Sequence, residues 1–247
     1  MKRVGVMASY PARRDTLIHA AASVAAQVDR LTIVLNQYDE VPSQVSQALP
    51  DNVRFVLPKT DLKDVGKFSV SVGADDLVFL CDDDILYPDD YCSHLAGAWE
   101  RYKELRAVIG VHGIIYSDFF DGDPRSRLVH LFTGALEADA FVNQLGTGTV
   151  VCAGYQMPPL KWMRSSAGFV DLRFAVHAER NGYPRICLNR GAEWMRQLET
   201  ETSLFETVTA QWPPNVTAEA QEIAGFRFLP LGAPEELACR RGSETQT

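Results

Sequence analysis

The chain has 247 residues, 46% hydrophobic and 10% aromatic, enough to bury a full core and too apolar for a disordered or fibrous protein. Its 24 Lys and Arg against 32 Asp and Glu leave a net charge of -8, which argues against a surface given over as a whole to nucleic acid and leaves room for a local basic patch. Cys81, Cys92, Cys152, Cys187 and Cys239 form no Cys-x-x-Cys pair and read as reduced thiols of a cytosolic protein. No apolar run approaches the roughly 20 residues of a membrane helix, so any membrane role is expected to be peripheral.

In chain order, Val4 to Ala8 reads as a first strand, stopped at Ser9, Tyr10 and Pro11. The apolar stretch at the start is too short for a signal peptide. A helix is expected next, with Asp15 as N-cap and a stripe of Leu17, Ile18, Ala21, Val24, Ala25 and Val28. Leu31 to Leu35 is a second buried strand ending at Asn36, which completes a right-handed βαβ unit. Val53 to Leu57 is a third strand, closed by Pro58. A polar loop from Lys59 to Lys67 and a short helix toward Gly73 follow. The loop lysines suit either a diphosphate or plain solvent. No Gly-x-Gly-x-x-Gly or Walker sequence is present, which disfavours a dinucleotide enzyme or a P-loop NTPase.

Leu77 to Cys81 is an unbroken apolar run and reads as a strand covered on both faces. Asp82, Asp83 and Asp84 follow at once. Carboxylates cannot be buried alone, so they must meet water, a cation or a basic partner. Side chains alternate along a strand end, so Asp82 and Asp84 are expected on one side, a spacing that suits one divalent ion. Pro88 in a first turn, with Asp89 and Asp90 beside it, is expected to open a helix from about Tyr91 to Arg106. Ligands of open α/β sheets sit beyond the carboxyl ends of the strands, which is where these acids lie. An EF-hand is excluded, since neither the turn glycine nor the closing glutamate is present.

Ala107 to Val111 reads as a fourth strand ending at His112, a structural residue or a metal ligand. Phe119 to Pro124 is a turn. Leu128 to Phe132 and Ala140 to Val142 are strand candidates for a smaller antiparallel sheet. Gly146 and Thr147, within Leu145 to Thr149, either let backbone approach a ligand or form a tight turn. Residues 168–180 are expected as a helix, with Asp171 either its cap or a carboxylate facing an acceptor hydroxyl. Between Lys161 and Arg196, seven basic residues (Lys161, Arg164, Arg173, Arg180, Arg185, Arg190, Arg196) outnumber Asp171, Glu179 and Glu193, for a local charge of +4. That reversal suits either an anionic acceptor or solvated helix faces. A helix around Ala218 to Ile223 and Gly225-Phe226 read as a wrapping segment, and residues 234–247 as a mobile tail.

Several blocks taken together resemble glycosyltransferase family 45, the bacterial α-N-acetylglucosaminyltransferases of heparosan capsule synthesis. They include Ser9-Tyr10-Pro11 with Arg13, residues 27–29, Leu35-Asn36, residues 63–68, residues 82–85 with Tyr87-Pro88 and Asp90-Tyr91, and His112-Gly113. Residues 120–123, 143–149, 169–171 with Arg173-Phe174, and 223–225 complete the set, in the family's order. The resemblance implies an α/β fold of GT-A, Rossmann-like type: a mixed, mainly parallel sheet flanked by helices, with a smaller antiparallel sheet. It implies one domain over residues 1–233, with a nucleotide-binding half to 113 and an acceptor-binding half from 114.

The resemblance further implies a cytoplasmic enzyme, at most peripheral to the inner membrane face. It would use UDP-N-acetylglucosamine and Mn²⁺ or Mg²⁺, and transfer with retention to the 4-hydroxyl of a terminal glucuronic acid, alternating with a partner glucuronosyltransferase. Tyr10, Pro11 and Arg13 would border the uridine with Asn36, and Asp64 and Lys67 would reach the nucleoside and diphosphate. Asp82 or Asp83 would approach the ribose, Asp84 with Asp82 would hold the metal, and Asp171 would lie by the acceptor or the anomeric carbon. Gly146, Thr147 and Arg173 would face the acceptor. The residues alone leave open an inverting transferase with another UDP-sugar, and a non-catalytic UDP-sugar-binding subunit. A sugar-nucleotide nucleotidyltransferase is disfavoured, because residues 8–13 lack the glycine-rich loop that class carries after its first strand.

Overall fold

The computed structural model describes residues 1–117, 119–199 and 212–224. Its first half alternates strands and helices: β1 (Arg3–Ser9), α1 (Arg14–Ala25), β2 (Arg30–Leu35), α2 (Ser43–Ala48), β3 (Val53–Val56), β4 (Leu77–Cys81), β5 (Ile85–Leu86) and α3 (Tyr91–Arg101). The second half begins with the strands β6 (Val108–Gly110), β7 (Gly113–Tyr116), β8 (Arg127–His130), β9 (Ala140–Phe141), β10 (Gln144–Leu145) and β11 (Thr149–Ala153). It continues through α4 (Leu160–Met163), α5 (Val170–Arg180), β12 (Arg185–Cys187), β13 (Arg196–Gln197) and α6 (Pro214–Ala224).

Eight strands form one sheet in the order β3-β2-β1-β4-β11-β6-β12-β9. Strands β3, β2, β1 and β4 are parallel neighbours, as are β6 and β12, while β11 and β9 run against them. The apolar run of β4 is buried along its whole length because both faces of the sheet are covered. Met7, Phe79 and Cys81 pack under α1 and α3 with Leu17, Val24, Tyr91 and Leu95. Val6, Val78 and Leu80 point the other way, onto Phe68, Met163 and Phe174. Each such side chain contributes roughly 1.5–3 kcal/mol by leaving water.

Strand β11 decides the site's geography. Thr149 pairs with Cys81 and Ala153 with Leu77, so the antiparallel strand brings the segment before it, residues 146–148, to the carboxyl end of β4. A three-stranded antiparallel sheet, β10-β7-β8, lies beside the main one. Its Ile114 and Tyr116 pack against Leu172 and Val176 of α5 and Val216 and Ile223 of α6. Asn143 ties these parts together: its Oδ1 accepts from the Tyr116 N–H at 2.9 Å and its Nδ2 donates to the Ile223 carbonyl at 2.8 Å.

The structure corrects several expectations. Asp15 is not the cap of α1; it lies in the first turn, after a 3-10 turn at Pro11–Arg13 has already started the coil. Residues 63–69 are a 3-10 helix rather than part of a loop, since Val65 and Phe68, three apart, both face the core. The helix opened near Pro88 starts at Tyr91 and ends at Arg101, because a 3-10 turn and a left-handed Arg106 (φ 54°) redirect the chain into β6. Ala140–Phe141 joins the edge of the main sheet, not the small one. Asp171 caps nothing: α5 begins at Val170 with no side-chain cap.

Strands β5, β7, β10, β11, β12 and β13 and helices α2 and α4 have no counterpart among the elements expected from the sequence. Cys81, Cys92, Cys152 and Cys187 are buried and free. Cys239, Gly225-Phe226 and the 234–247 tail lie outside the described residues. Among the described residues no helix is long and apolar enough to cross a membrane.

Candidate active site

Four segments meet at the carboxyl edge of β1 and β4: the turn after β1, the 3-10 helix at Lys63–Ser69, the acidic triplet after β4 and residues 146–148 before β11. Lys67, 2% exposed, stands at their junction. Its ammonium lies 2.5 Å from Asp82 Oδ1 and 3.3 Å from both the carbonyl and the hydroxyl oxygen of Thr147. Burial works against the lysine's charge, but Asp82 and then Asp171 outweigh it and raise its pKa. Thr147 in turn donates its N–H at 2.8 Å and its O–H at 2.5 Å to Asp171 Oδ1.

The other end of the triplet is held by Arg13. This buried guanidinium donates to Asp84 Oδ2 at 3.0 Å. Asp82 and Asp84 thus meet basic partners, as carboxylates at a strand end must. Tyr87 links the triplet to β11: its hydroxyl accepts from the Asp82 N–H at 2.8 Å and donates to the Gly148 carbonyl at 2.6 Å.

Asp83 is 9% exposed and its Oδ2 makes no hydrogen bond. Burial, eased by the neighbouring Ser9 hydroxyl, pushes its carboxyl up to about 7. Tyr38 Oη is also buried without a partner. Burial likewise pushes Asp64 to about 6 and raises Asp84 and Asp171. Five carboxylates gather here (Asp64, Asp82, Asp83, Asp84, Asp171), of which Asp82 is hydrogen-bonded to Lys67 and Asp84 to Arg13. A bound cation would favour the charged forms of carboxyls that burial tends to keep protonated.

No family model and no curated protein matches this chain.

The remaining site candidates fall into distinct places. Tyr10 and exposed Pro11 form the turn that carries Arg13, whose N–H donates to the Tyr10 carbonyl. Asn36 is buried and both ends of its amide are engaged, accepting from Leu62 N–H at 3.0 Å and donating to the Lys63 carbonyl at 2.8 Å. It shapes the 62–63 loop. Asp64 accepts from the Gly168 N–H at 2.9 Å, next to a cavity of about 260 Å³ lined by Thr60, Asp61, Lys63 and Arg164. Gly146 packs its backbone on the His112 ring, whose burial lowers its pKa to about 4 and keeps it neutral.

Arg173 lies apart from the cluster. It pairs with Glu219 of α6 at 2.5 Å, stacks on Trp162, and lines a separate cavity of about 240 Å³ with Ser165 and Phe169. Other members of the basic segment are likewise engaged within the fold: Arg185 with Glu179, Arg180 with Glu222, and Arg190 with the carbonyls of Leu131, Gly134 and Leu188.

Among the described residues no group of three or more His, Cys, Asp or Glu side chains is arranged to hold a metal by itself. The donor set nevertheless fits an ion of the Mg²⁺ kind, which is commonly held by one or two carboxylates and completed by substrate phosphates and water. Asp84 and Asp82 would supply those carboxylates. Sequence reasoning gives no role to Ser9, Tyr87 and Gly148, which enter only as members of the resembling blocks, and does not single out Tyr38. Gly148 had a usable signal, being the second glycine of a Gly-x-Gly that precedes four small or apolar residues of β11.

Proposed function

We propose that the chain is a GT-A type glycosyltransferase that moves N-acetylglucosamine from UDP-N-acetylglucosamine to the 4-hydroxyl of a terminal glucuronic acid, with retention. The observation that carries this reading is the buried polar cluster at the sheet edge, where Asp83 Oδ2 and Tyr38 Oη have no hydrogen-bond partner and Ser9 Oγ lies beside the Asp83 carboxyl. Such groups are rarely left unsatisfied in a native protein. The hydroxyls of a ribose are the kind of ligand that would engage them. Support also comes from the acidic triplet at the carboxyl edge of a mostly parallel sheet, where ligands of this architecture bind.

In this reading Tyr10, Pro11 and Arg13 border the uridine, Asp83 takes the ribose, and Asn36 and Asp64 hold the loops beside it. Asp84, with Asp82, would hold Mn²⁺ or Mg²⁺, which supplies Lewis-acid neutralisation of the diphosphate when bound. Lys67 contributes a fixed, buried positive charge, and pre-oriented charges act more strongly the less water surrounds them. Its N–H groups are all engaged, so it acts through its field and not as a direct phosphate ligand. Asp171 faces the transferred sugar and orients the acceptor, and such positioning can supply much of a rate acceleration.

The test is to incubate the protein with Mn²⁺, a panel of UDP-sugars and short glucuronic-acid-terminated oligosaccharides. The expected product is heavier by one N-acetylhexosamine and carries an α-linkage by NMR. No sugar transfer from any donor would sink the reading.

A further inference from the structure

We propose that Thr147 is the positioning residue of this site: it holds Oδ1 of Asp171 with two hydrogen bonds and thereby leaves Oδ2 as the oxygen that meets substrate. The inference rests on the reading of Asp171 as the carboxylate beside the transferred sugar, and deepens it.

A threonine hydroxyl has one proton to give and two lone pairs to accept with. Here the proton is directed at Asp171 Oδ1, at 2.5 Å, and a lone pair accepts from the Lys67 ammonium at 3.3 Å. The Thr147 N–H reaches the same carboxylate oxygen at 2.8 Å, so backbone and side chain of one residue converge on Oδ1. No described residue donates to Oδ2, and Asp171 keeps part of its surface exposed. Thr147 itself is 1% exposed, so its hydroxyl is not available to an acceptor sugar and serves the carboxylate instead.

Lys67 makes the arrangement rigid. Its three N–H groups meet Asp82 Oδ1, the Thr147 carbonyl and the Thr147 hydroxyl, which uses its full donor capacity. A lysine so engaged and buried does not swing outward. It fixes the rotation of the threonine hydroxyl and, through it, which oxygen of Asp171 is tied down. Besides Lys67, the titrating groups that act on Asp171 are Asp64, Asp82 and Tyr116.

The experiment is a graded series at one position, Thr147→Ser, Thr147→Cys and Thr147→Val, in the full chain. It is read by kcat and KM for the donor and by NMR titration of ¹³C-labelled aspartate carboxyls. Valine should lower kcat about 10- to 100-fold, the scale of one hydrogen bond to a charged group, with donor KM unchanged. It should also move the Asp171 titration upward, because the charged form loses a donor. Serine should restore both readings and cysteine should fall between. If the valine variant does not fold, the comparison of cysteine with serine decides.

Wild-type kcat and an unmoved carboxyl titration in valine or cysteine would overturn the proposal, as would an equal loss in all three variants. If the wild-type protein transfers no sugar, the proposed function fails. The carboxyl titration needs no turnover and still decides whether Thr147 governs Asp171.

Discussion

Asp82 Oδ2 occupies the place where a side chain at Gly148 would begin: a Cβ there would lie 2.0 Å from it. The carboxylate cannot step aside freely, since Lys67 holds its other oxygen and Tyr87 its backbone N–H. Gly148→Ala should therefore push either Asp82 or the start of β11 out of place. Overpacking of this kind destabilises by about 1–3 kcal/mol. We expect a lower melting temperature together with loss of UDP-sugar binding by calorimetry, and full donor affinity in the variant would count against the assignment of Asp82.

Removing the buried cation should be more damaging than removing any one of its partners. Lys67→Met leaves Asp82 and both Thr147 oxygens without their donor. Because the Asp82 carboxylate is 43% exposed and water can replace the lysine there, a loss of about 1–3 kcal/mol follows, the scale of hydrogen bonds given up to a charged group. Urea unfolding of wild type and variant measures it, and a change below about 0.5 kcal/mol would show that the lysine contributes no more than an exposed surface pair.

Asp64 gives a pH dependence of defined sign. Burial holds its folded carboxyl at about 6, above the ordinary value of 3.8. Between those two pH values the folded protein keeps a proton that the unfolded chain has released. The associated stability is present at about pH 4 and is lost as pH rises through about 6. Asp64→Asn should remove that slope, a difference on the order of 2 kcal/mol at pH 7. Melting curves of both proteins from pH 4 to 8 test this, and parallel profiles would rule it out.

Asp84 is the carboxylate best placed to serve a divalent ion, being part-exposed and tied at one oxygen to Arg13. Mn²⁺ should strengthen UDP binding to the wild-type protein, and EDTA should abolish that gain. Asp84→Asn should cut the Mn²⁺-dependent part of the affinity about tenfold or more while the far-UV circular dichroism stays unchanged. A variant that still responds fully to Mn²⁺ would move the ion elsewhere.

Much of the first half of the chain was legible because its signals are local. The five apolar residues of β4 give its boundaries directly, and Pro11 and Pro58 punctuate the chain where the structure turns. The rest depended on distant partners. β12 carries Arg185 in a fully buried strand, a charge that argues against a core strand until Glu179 is known to face it. Two residues, Ala140 and Phe141, cannot declare which sheet they join, since pairing and not composition settles that. The role of Thr147 was hidden for the same reason: Lys67 and Asp171 are 80 and 24 residues away. Arg173 read as part of a basic face, and the carboxylate that engages it, Glu219, lies on another helix.

The antiparallel insertion of β11 also sets an order of events during synthesis. β4 and β6 never touch as neighbours; they are joined only through a strand that begins at residue 149. A nascent chain that has emerged only as far as β6 therefore presents two open hydrogen-bonding edges, each a template for wrong pairing. Closure of the sheet must wait for a long-range contact, which slows folding and lengthens the exposure of those edges. Fragments ending before Thr149 should accordingly precipitate when expressed, whereas those extending past β12 should stay in solution.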